Sequence, residues 1–344
     1  MGPAYLAANR NRHAKEQEMR KVALNEFGGP ENLVVETADD LKAGPGEVLI
    51  DVEAAGVNFL DVTQRSGASA VHKVELPLVP GLEGVGRVRE LGDGVSETDD
   101  IKVGARVAWM DGKGSYASQV VISPNRIVPV PDHFTLSQGL IFQALTAHYL
   151  VHEYRDVKPG DRVLVHAASG GVGQLLVQWL KHFGAWVVGT VSTEEKAEAV
   201  RALGADEVVV YGRDYDFKDQ VLGMTDGEGV DLAFDGLGEK TLMNTIGSLR
   251  RGGTVVAIGA ASGPIPAIEP TVLTPKALRL AGGSVFSFVA DPAELRKRAA
   301  DVVTGIHEGW LKLENATEYP LDGAADAHAD LENRRAKGKL YLKA

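Results

Sequence analysis

Cysteine is absent from all 344 residues. That excludes disulfides, thiolate nucleophiles, Fe–S clusters and cysteine-ligated zinc. Basic residues are also in deficit, 36 against 47 acidic, and the net charge of −11 leaves no basic surplus for coating a nucleic-acid duplex. No stretch approaches the 18 or so consecutive apolar residues of a membrane-spanning helix. Residues 1–19 lack the apolar core of a secretory signal, so a cytoplasmic protein is expected. Glycine, by contrast, is in excess: 40 residues, well above the usual level of about 7%. Many of these glycines sit at the ends of apolar runs, where they imply tight strand-to-helix turns.

At roughly 150 residues per domain the length suggests about two domains. Residues 1–19 are polar and read as a disordered tail or an added extension. From Val22 to about Pro131, short β-branched segments alternate with turn signals: Val48 to Val52, Gly84 to Val88, Ala105 to Trp109, Tyr116 to Ile122 and Arg126 to Val130. This spacing predicts a small barrel or sandwich. A helix is predicted from Gln138 to Tyr154, and then the texture becomes regular. Apolar runs at 163–165, 187–191, 208–211, 232–234 and 255–258 alternate with helical stretches at 172–183, 193–203, 216–222 and 240–249. Continuous apolar strands joined by helices form a parallel, doubly wound α/β domain. A further helix is expected at 292–308, and a last strand, Lys339 to Leu342, is placed to return to the N-terminal β region.

Ala167-Ala168-Ser169-Gly170-Gly171-Val172-Gly173 follows the first parallel strand and opens a helix. It matches G-x-G-x-x-G with Ala168 in the first glycine position. Gly170 lets backbone N–H groups approach a pyrophosphate at the helix N-terminus, and Gly173 lets helix and strand pack closely. NAD-specific sites place an acid about 20 residues on, to bind the ribose 2′-OH; this chain has Thr190-Val191-Ser192 there, with Lys196 nearby. NADPH is therefore the expected cofactor, although Glu194 and Glu195 complicate the charge balance.

Rival readings start from the same residues. The Ser169 turn also resembles a G-x-S-x-G nucleophile elbow lacking its first glycine, with Asp235 and His307 or His328 as triad partners. His148 and His152 lie one helical turn apart, but Tyr149 stands where H-E-x-x-H needs its glutamate. No metal site is expected. His166, beside the Gly turn, reads as structural, whereas His72 lies in a loop that can face a substrate.

In order and combination, five segments are similar to the zinc-free, zeta-crystallin-like NADPH:quinone oxidoreductases among the medium-chain dehydrogenase/reductases. These are residues 54–61 (AAGVNFLD), 80–86 (PGLEGVG), 103–107 (VGARV), 158–163 (KPGDRV) and the Gly170 turn, and the resemblance spans about 20–344. Zinc-containing relatives carry a ligand cysteine in the first segment and a ligand histidine in the second; Asn58 and Leu82 occupy those places here. The resemblance implies a GroES-like β-rich catalytic domain (20–143 and 284–344), a Rossmann cofactor domain (144–283), and substrate in the cleft between them. It implies that Asn58 faces nicotinamide and substrate, that Thr146 contacts the cofactor, and that Ser169, Gly170, Gly171, Val172 and Gly173 hold the pyrophosphate. Ser192, Lys196, Tyr211 and Arg334 are expected at the adenosine 2′-phosphate, with Gly259, Ala260 and Phe286 at the nicotinamide.

Where such reductases often place a tyrosine after Arg65-Ser66-Gly67, this chain reads Ala68-Ser69-Ala70-Val71-His72. Phe59, Thr63, His72, Trp109, Phe142 and Phe288 are the expected pocket walls. The expected reaction is hydride transfer from NADPH to a small electrophile, a quinone first, with the Asn58 amide as donor to the developing oxyanion and Asp61 orienting the Asn58 loop. The alternatives are reduction of an enal, enone or enoyl thioester, and a non-catalytic NADPH-binding protein. A homodimer is expected, with strands such as Val255 to Ile258 pairing across a two-fold axis.

Overall fold

The computed structural model describes residues 18–69, 72–110, 114–212, 214–313, 315–335 and 338–344. Most of the expected N-terminal tail, residues 1–17, lies outside them. The expected tail runs one residue too far, because Met19 is already buried and begins β1. Among the described residues two compact units emerge, one of the residues up to Asp132 with 318–332 and 341–344, the other of those within 133–317 and 333–340.

The first unit contains β1 (Met19–Leu24), β2 (Leu33–Ala38), β3 (Val48–Val57), α1 (Phe59–Arg65), β4 (Glu83–Leu91), β5 (Arg106–Met110), β6 (Gln119–Ile122) and β7 (Ile127–Pro129). β1 and β2 form an antiparallel ribbon. The second unit runs through α2 (Leu136–Gly139), α3 (Phe142–Glu153), β8 (Arg162–Val165), α4 (Gly171–His182), β9 (Trp186–Val191), α5 (Glu194–Ala202) and β10 (Glu207–Val210). It continues with α6 (Lys218–Met224), β11 (Val230–Asp235), α7 (Leu242–Gly247), β12 (Leu249–Ala257), β13 (Arg279–Gly282), α8 (Val285–Phe288) and α9 (Pro292–His307). The chain closes with β14 (Ala316–Pro320), α10 (Ala324–Glu332) and β15 (Lys339–Lys343). A seven-stranded sheet has the order β14-β15-β3-β4-β5-β7 with β6 on β3, so the last strand does return beside β3.

The β core is filled by Val48, Ile50, Val52, Val88, Val107, Trp109, Val120, Ile122 and Ile127. Trp109, expected as a pocket wall, is fully buried there, its indole N–H donating to Ser115 Oγ at 2.9 Å. Gly84 makes room for the ring, since a Cβ at that position would lie 2.2 Å from Trp109. Burial on every side removes Trp109 from the substrate wall.

The second sheet is wholly parallel, ordered β10-β9-β8-β11-β12-β13. Its strand order reverses beside β8, between β9 and β11, and at such a switch point the connecting helices leave on opposite faces and open a crevice. Leu164, Val188, Val209, Phe217, Ala233 and Val255 pack beneath it. Residues 255–258 cannot pair across a two-fold axis as expected, because β12 is already bonded to β11 on one side and β13 on the other. β13 escaped notice in the sequence because Arg279-Leu280-Ala281-Gly282 is a mostly exposed edge without an apolar run.

The helix expected at 138–154 is two helices. Thr135 and Gln138 form a capping box on α2, and Leu140 turns extended before α3 begins. Residues 133–143, 284–317 and the described residues of 333–340 stay with the parallel sheet rather than with the β-rich unit assigned from sequence. Side-chain bonds explain the second of these: on α9, Arg298 pairs with Glu153 at 2.6 Å and Asp301 with His148 at 2.9 Å, both on α3. Among the described residues no helix is long and apolar enough to cross a membrane.

Candidate active site

In the parallel unit, the turn after β8 fits a dinucleotide pyrophosphate. Ala167 takes a left-handed conformation at φ 49°, Ala168 N–H donates to Thr190 C=O at 3.1 Å, and Gly170 N-caps α4 in an extended conformation. A Cβ on Gly173 would lie 2.3 Å from Ala167 O and 2.8 Å from Ala168 Cα, so only glycine lets α4 start this close to the turn. Gly171 is less constrained: a Cβ there meets the Gln143 side chain rather than backbone. Ser169, Gly170, Gly171 and Val172 are all half-buried at the helix N-terminus, where amide N–H groups and the helix dipole favour an anion. A cavity of about 350 Å³ opens beside the turn, lined by Ser169, Gln174, Lys196, Val200 and Asn315 among others.

At the end of β9 the structure gathers the basic residues expected near a 2′-phosphate. Lys196 Nζ donates to Arg334 C=O at 2.9 Å, and Arg334 Nη1 donates to Tyr215 Oη at 2.7 Å. Tyr215 stacks on Tyr211 at 4.8 Å, while Lys240 Nζ lies 5.5 Å over the Tyr215 ring. Burial raises the Tyr211 phenol to about 12, so it remains a neutral hydrogen-bonding group. Tyr215 and Lys240 were missed in the sequence, where nothing local distinguishes them from a loop tyrosine and a surface lysine. Ser192 is exposed at the strand end, next to Thr193, whose side chain caps α5.

Gly259 and Ala260 begin a segment zipped onto the turn after β11. Ala261 N–H donates to Gly236 O at 3.2 Å and Ser262 N–H to Leu237 O at 2.8 Å. Thr146 donates to Phe142 O at 2.8 Å, one turn back on α3. Phe142 and Phe286 face one another at 5.7 Å. Phe288 instead stacks on Tyr149 at 4.8 Å with Arg298 over its ring, so it anchors α8 to α3.

In the β-rich unit, Asn58 N-caps α1 in a capping box with Asp61. Its backbone N–H donates to Asp61 Oδ2 at 2.8 Å, and its side-chain Nδ2 donates to Glu83 Oε1 at 2.9 Å. Gly56 allows this approach, because a Cβ there would lie 2.2 Å from Glu83 Oε1. Behind Asp61 stand Tyr116 and His328, a pairing that no local pattern reveals. Tyr116 Oη donates to Asp61 Oδ2 at 3.3 Å and lies 3.0 Å from His328 Nε2. Because the tyrosine proton goes to the carboxylate, His328 must donate from Nε2, which leaves Nδ1 as the bare nitrogen, without a partner. α10 itself is held by Arg65, bidentate to Glu332 at 2.7 and 3.1 Å. Phe59 is exposed at the start of α1, Thr63 donates to Leu60 O at 2.9 Å, and the His72 carbonyl accepts from Gln64 Nε2 at 3.3 Å. Ala70 and Val71 lie outside the described residues.

Desolvation keeps the buried histidines neutral, lowering His328 to about 3 and His148 to about 4. Below the ordinary histidine pKa of about 6.5 the unfolded chain takes up protons that the folded chain refuses, so stability rises with pH. Each histidine contributes a slope of roughly 1.4 kcal/mol per pH unit. From pH 7 to 5 the two together are expected to remove about 3 to 4 kcal/mol of stability, measured by urea unfolding. His328→Gln is expected to lower the slope by one proton; an unchanged slope would show that His328 is protonated in the folded state.

Other chemistries do not fit. Asp235 is committed to the N–H groups of Leu237 and Gly238 and to the hydroxyls of Thr241 and Thr245. His328 is bound to Tyr116 and the His307 ring packs against His133, so no triad forms at Ser169. A catalytic zinc finds no donor in Leu82, and the neighbouring Glu83 accepts from Asn58. Among the described residues no three His, Asp or Glu side chains converge as a metal site needs.

Comparison with known proteins agrees with this geometry. Residues 44–132 match the alcohol dehydrogenase GroES-like domain and residues 171–304 the zinc-binding dehydrogenase model. A 2-haloacrylate reductase from a Burkholderia species is 36% identical, over 93% of this chain and 97% of its own. Among solved structures, a mycobacterial protein complexed with NADPH superposes with a TM-score of 0.89 at 38% identity, covering 94% of this chain and all of that one. The Escherichia coli quinone oxidoreductase complexed with NADPH gives 0.87 at 30% identity, again over 94% of this chain and all of that one. Full-length similarity of this kind, on a fold that pairs a GroES-like unit with a six-stranded parallel sheet, identifies the chain as an enzyme of the zeta-crystallin-like quinone oxidoreductase family of NADPH-dependent medium-chain dehydrogenase/reductases.

Proposed function

We propose that the protein reduces a quinone with NADPH. The observation that carries this reading is the meeting of the Gly170–Gly173 turn, at the switch point of the parallel sheet, with the Lys196, Tyr211, Tyr215 and Arg334 cluster at the end of β9. The turn fits a pyrophosphate, and the cluster supplies two cations and two phenols for a 2′-phosphate. When bound, NADPH would supply the hydride. Gly259, Ala260, Phe286 and Thr146 are the residues that would hold the nicotinamide end.

On the acceptor side, Asn58 is the hydrogen-bond donor to the oxygen that gains charge. Glu83 and Asp61 take one side-chain N–H and the backbone N–H of Asn58, fixing the plane of the amide. Donors held in advance in this way need no reorganisation as charge develops. Asp61, with two donors of its own, positions the amide and does not serve as the acid; solvent supplies the proton. Asn58→Ala is expected to lower kcat about a hundredfold while binding of 2′,5′-ADP stays within about twofold. Equal loss of both would reassign Asn58 to the scaffold.

A second reading, reduction of an activated alkene, is favoured by the missing tyrosine after Gly67 and by the similarity to a 2-haloacrylate reductase. Initial rates of NADPH oxidation with quinones, 2-alkenals, enones, 2-haloacrylate and an enoyl thioester decide between them. Fast quinone turnover supports the proposal, and turnover confined to alkenes replaces it with ene reduction. NADPH binding without any turnover leaves a binding protein.

A further inference from the structure

His166 is fully buried at the end of β8, and both of its ring nitrogens are engaged. Nδ1 lies 2.8 Å from Thr190 Oγ1 on β9, and Nε2 lies 2.9 Å from Thr245 Oγ1 on α7. The protons in this chain have one consistent arrangement. Thr245 Oγ1 has one proton and two acceptors that can take it, Asp235 Oδ2 at 2.8 Å and Thr241 O at 2.9 Å, so towards the ring it accepts from Nε2–H. A neutral imidazole then carries its lone pair on Nδ1, and Thr190 must donate to it. Burial pushes the imidazole pKa down, in keeping with the neutral form.

The chain therefore runs Thr190 to His166, and His166 through Thr245 to Asp235, across the carboxyl ends of β9, β8 and β11. These three strands are neighbours, and the switch-point crevice opens above them. Each end of the chain carries part of the cofactor cradle. The Thr190 carbonyl accepts the Ala168 N–H that holds the Gly turn. Asp235 holds the N–H groups of Leu237 at 2.9 Å and Gly238 at 3.0 Å. Gly238, at φ 84°, lies so close to the next segment that a Cβ would come within 3.0 Å of both Gly259 O and Gly263 O. The loop pinned by Asp235 is thus the platform for residues 259–263.

We propose that His166 is a positioning residue for the dinucleotide, setting the spacing between the turn that takes the pyrophosphate and the platform under the nicotinamide-side segment. This rests on NADPH being the cofactor. It assigns His166 no contact with substrate and no proton transfer. A neutral bridge with both nitrogens satisfied is suited to this task, because each hydrogen bond constrains a different strand end and neither can be given up without leaving a buried polar group unpaired.

Thr190→Val and Thr245→Val each cut one arm while keeping shape. Affinities of wild type and variants for NADPH and for 2′,5′-ADP, which occupies the adenosine end alone, are measured by calorimetry, with thermal unfolding to establish that each variant folds. Each single variant is expected to bind NADPH about tenfold more weakly, with 2′,5′-ADP within about twofold. The double variant is expected to stay near tenfold, since a chain cut once is already broken. Equal weakening of both ligands, no weakening of either, or a hundredfold loss in the double variant would overturn the proposal. A wild-type protein that binds neither ligand would overturn the cofactor reading itself, and this inference with it.

Discussion

Gly173→Val is expected to reduce NADPH affinity by at least a hundredfold. Position 173 lies in the first turn of α4, and even a Cβ there would sit 2.3 Å from Ala167 O and 2.8 Å from Ala168 Cα. Both are backbone atoms of the turn, so no side-chain rotation relieves the contact. Either α4 moves away from β8 or the turn deforms, and both changes pull the helix N-terminus from the pyrophosphate. Losing two charge-assisted hydrogen bonds of about 1.5–3 kcal/mol each accounts for a hundredfold or more. Gly171→Ala is the control, because its Cβ meets only the end of the flexible Gln143 side chain. Calorimetric titration with NADPH, with circular dichroism to establish folding, reads the result. Tight NADPH binding by folded Gly173→Val would place the pyrophosphate elsewhere.

The second large effect is on cofactor choice. Lys196→Ala combined with Arg334→Ala is expected to lower the NADPH over NADH ratio of kcat/KM by about a hundred- to a thousandfold, with NADH kinetics nearly unchanged. Lys196 bonds the Arg334 carbonyl and the Arg334 guanidinium bonds Tyr215, so the two cations are held together before any ligand arrives. Arg334 adopts φ 58°, a conformation uncommon for a residue with a side chain, at the end of α10. A 2′-phosphate gains a charge-assisted bond from each cation, and a 2′-hydroxyl gains neither in full. An unchanged ratio would mean that the 2′-phosphate is recognised without them, leaving Ser192 as the next residue to replace.

The residues legible in the sequence share a property: their role is written within a few positions of themselves. The Gly170–Gly173 turn is readable because a strand, a turn and a helix start follow one another directly. Lys196 and Arg334 were matched to the phosphate through resemblance, and the structure brings them to 2.9 Å across 138 positions of chain. Short helices were harder. α1 has seven residues and α10 nine, too few turns for an apolar period to stand out, so the Asn58 segment reads as a loop and no helix is expected between 308 and 339. Trp109 shows the converse error: an aromatic beside a motif looks like a pocket wall, but whether it faces ligand or core depends on which strand covers it, and here β4 supplies Gly84 beneath its ring.

By itself the sequence determined the class of the molecule. The absence of cysteine excluded cysteine-ligated zinc, and the run of apolar strands and helices specified a doubly wound sheet with a glycine turn at its first crossover. These are local consequences of side-chain chemistry and backbone freedom. Only the tertiary structure decided what stands behind the functional groups: Glu83 under the Asn58 amide, Tyr116 and His328 behind Asp61, and His166 bridging Thr190 and Thr245. Their partners lie 24 to 212 positions away along the chain. Burial makes each unpaired polar atom costly, and only the folded packing determines which distant group meets that demand.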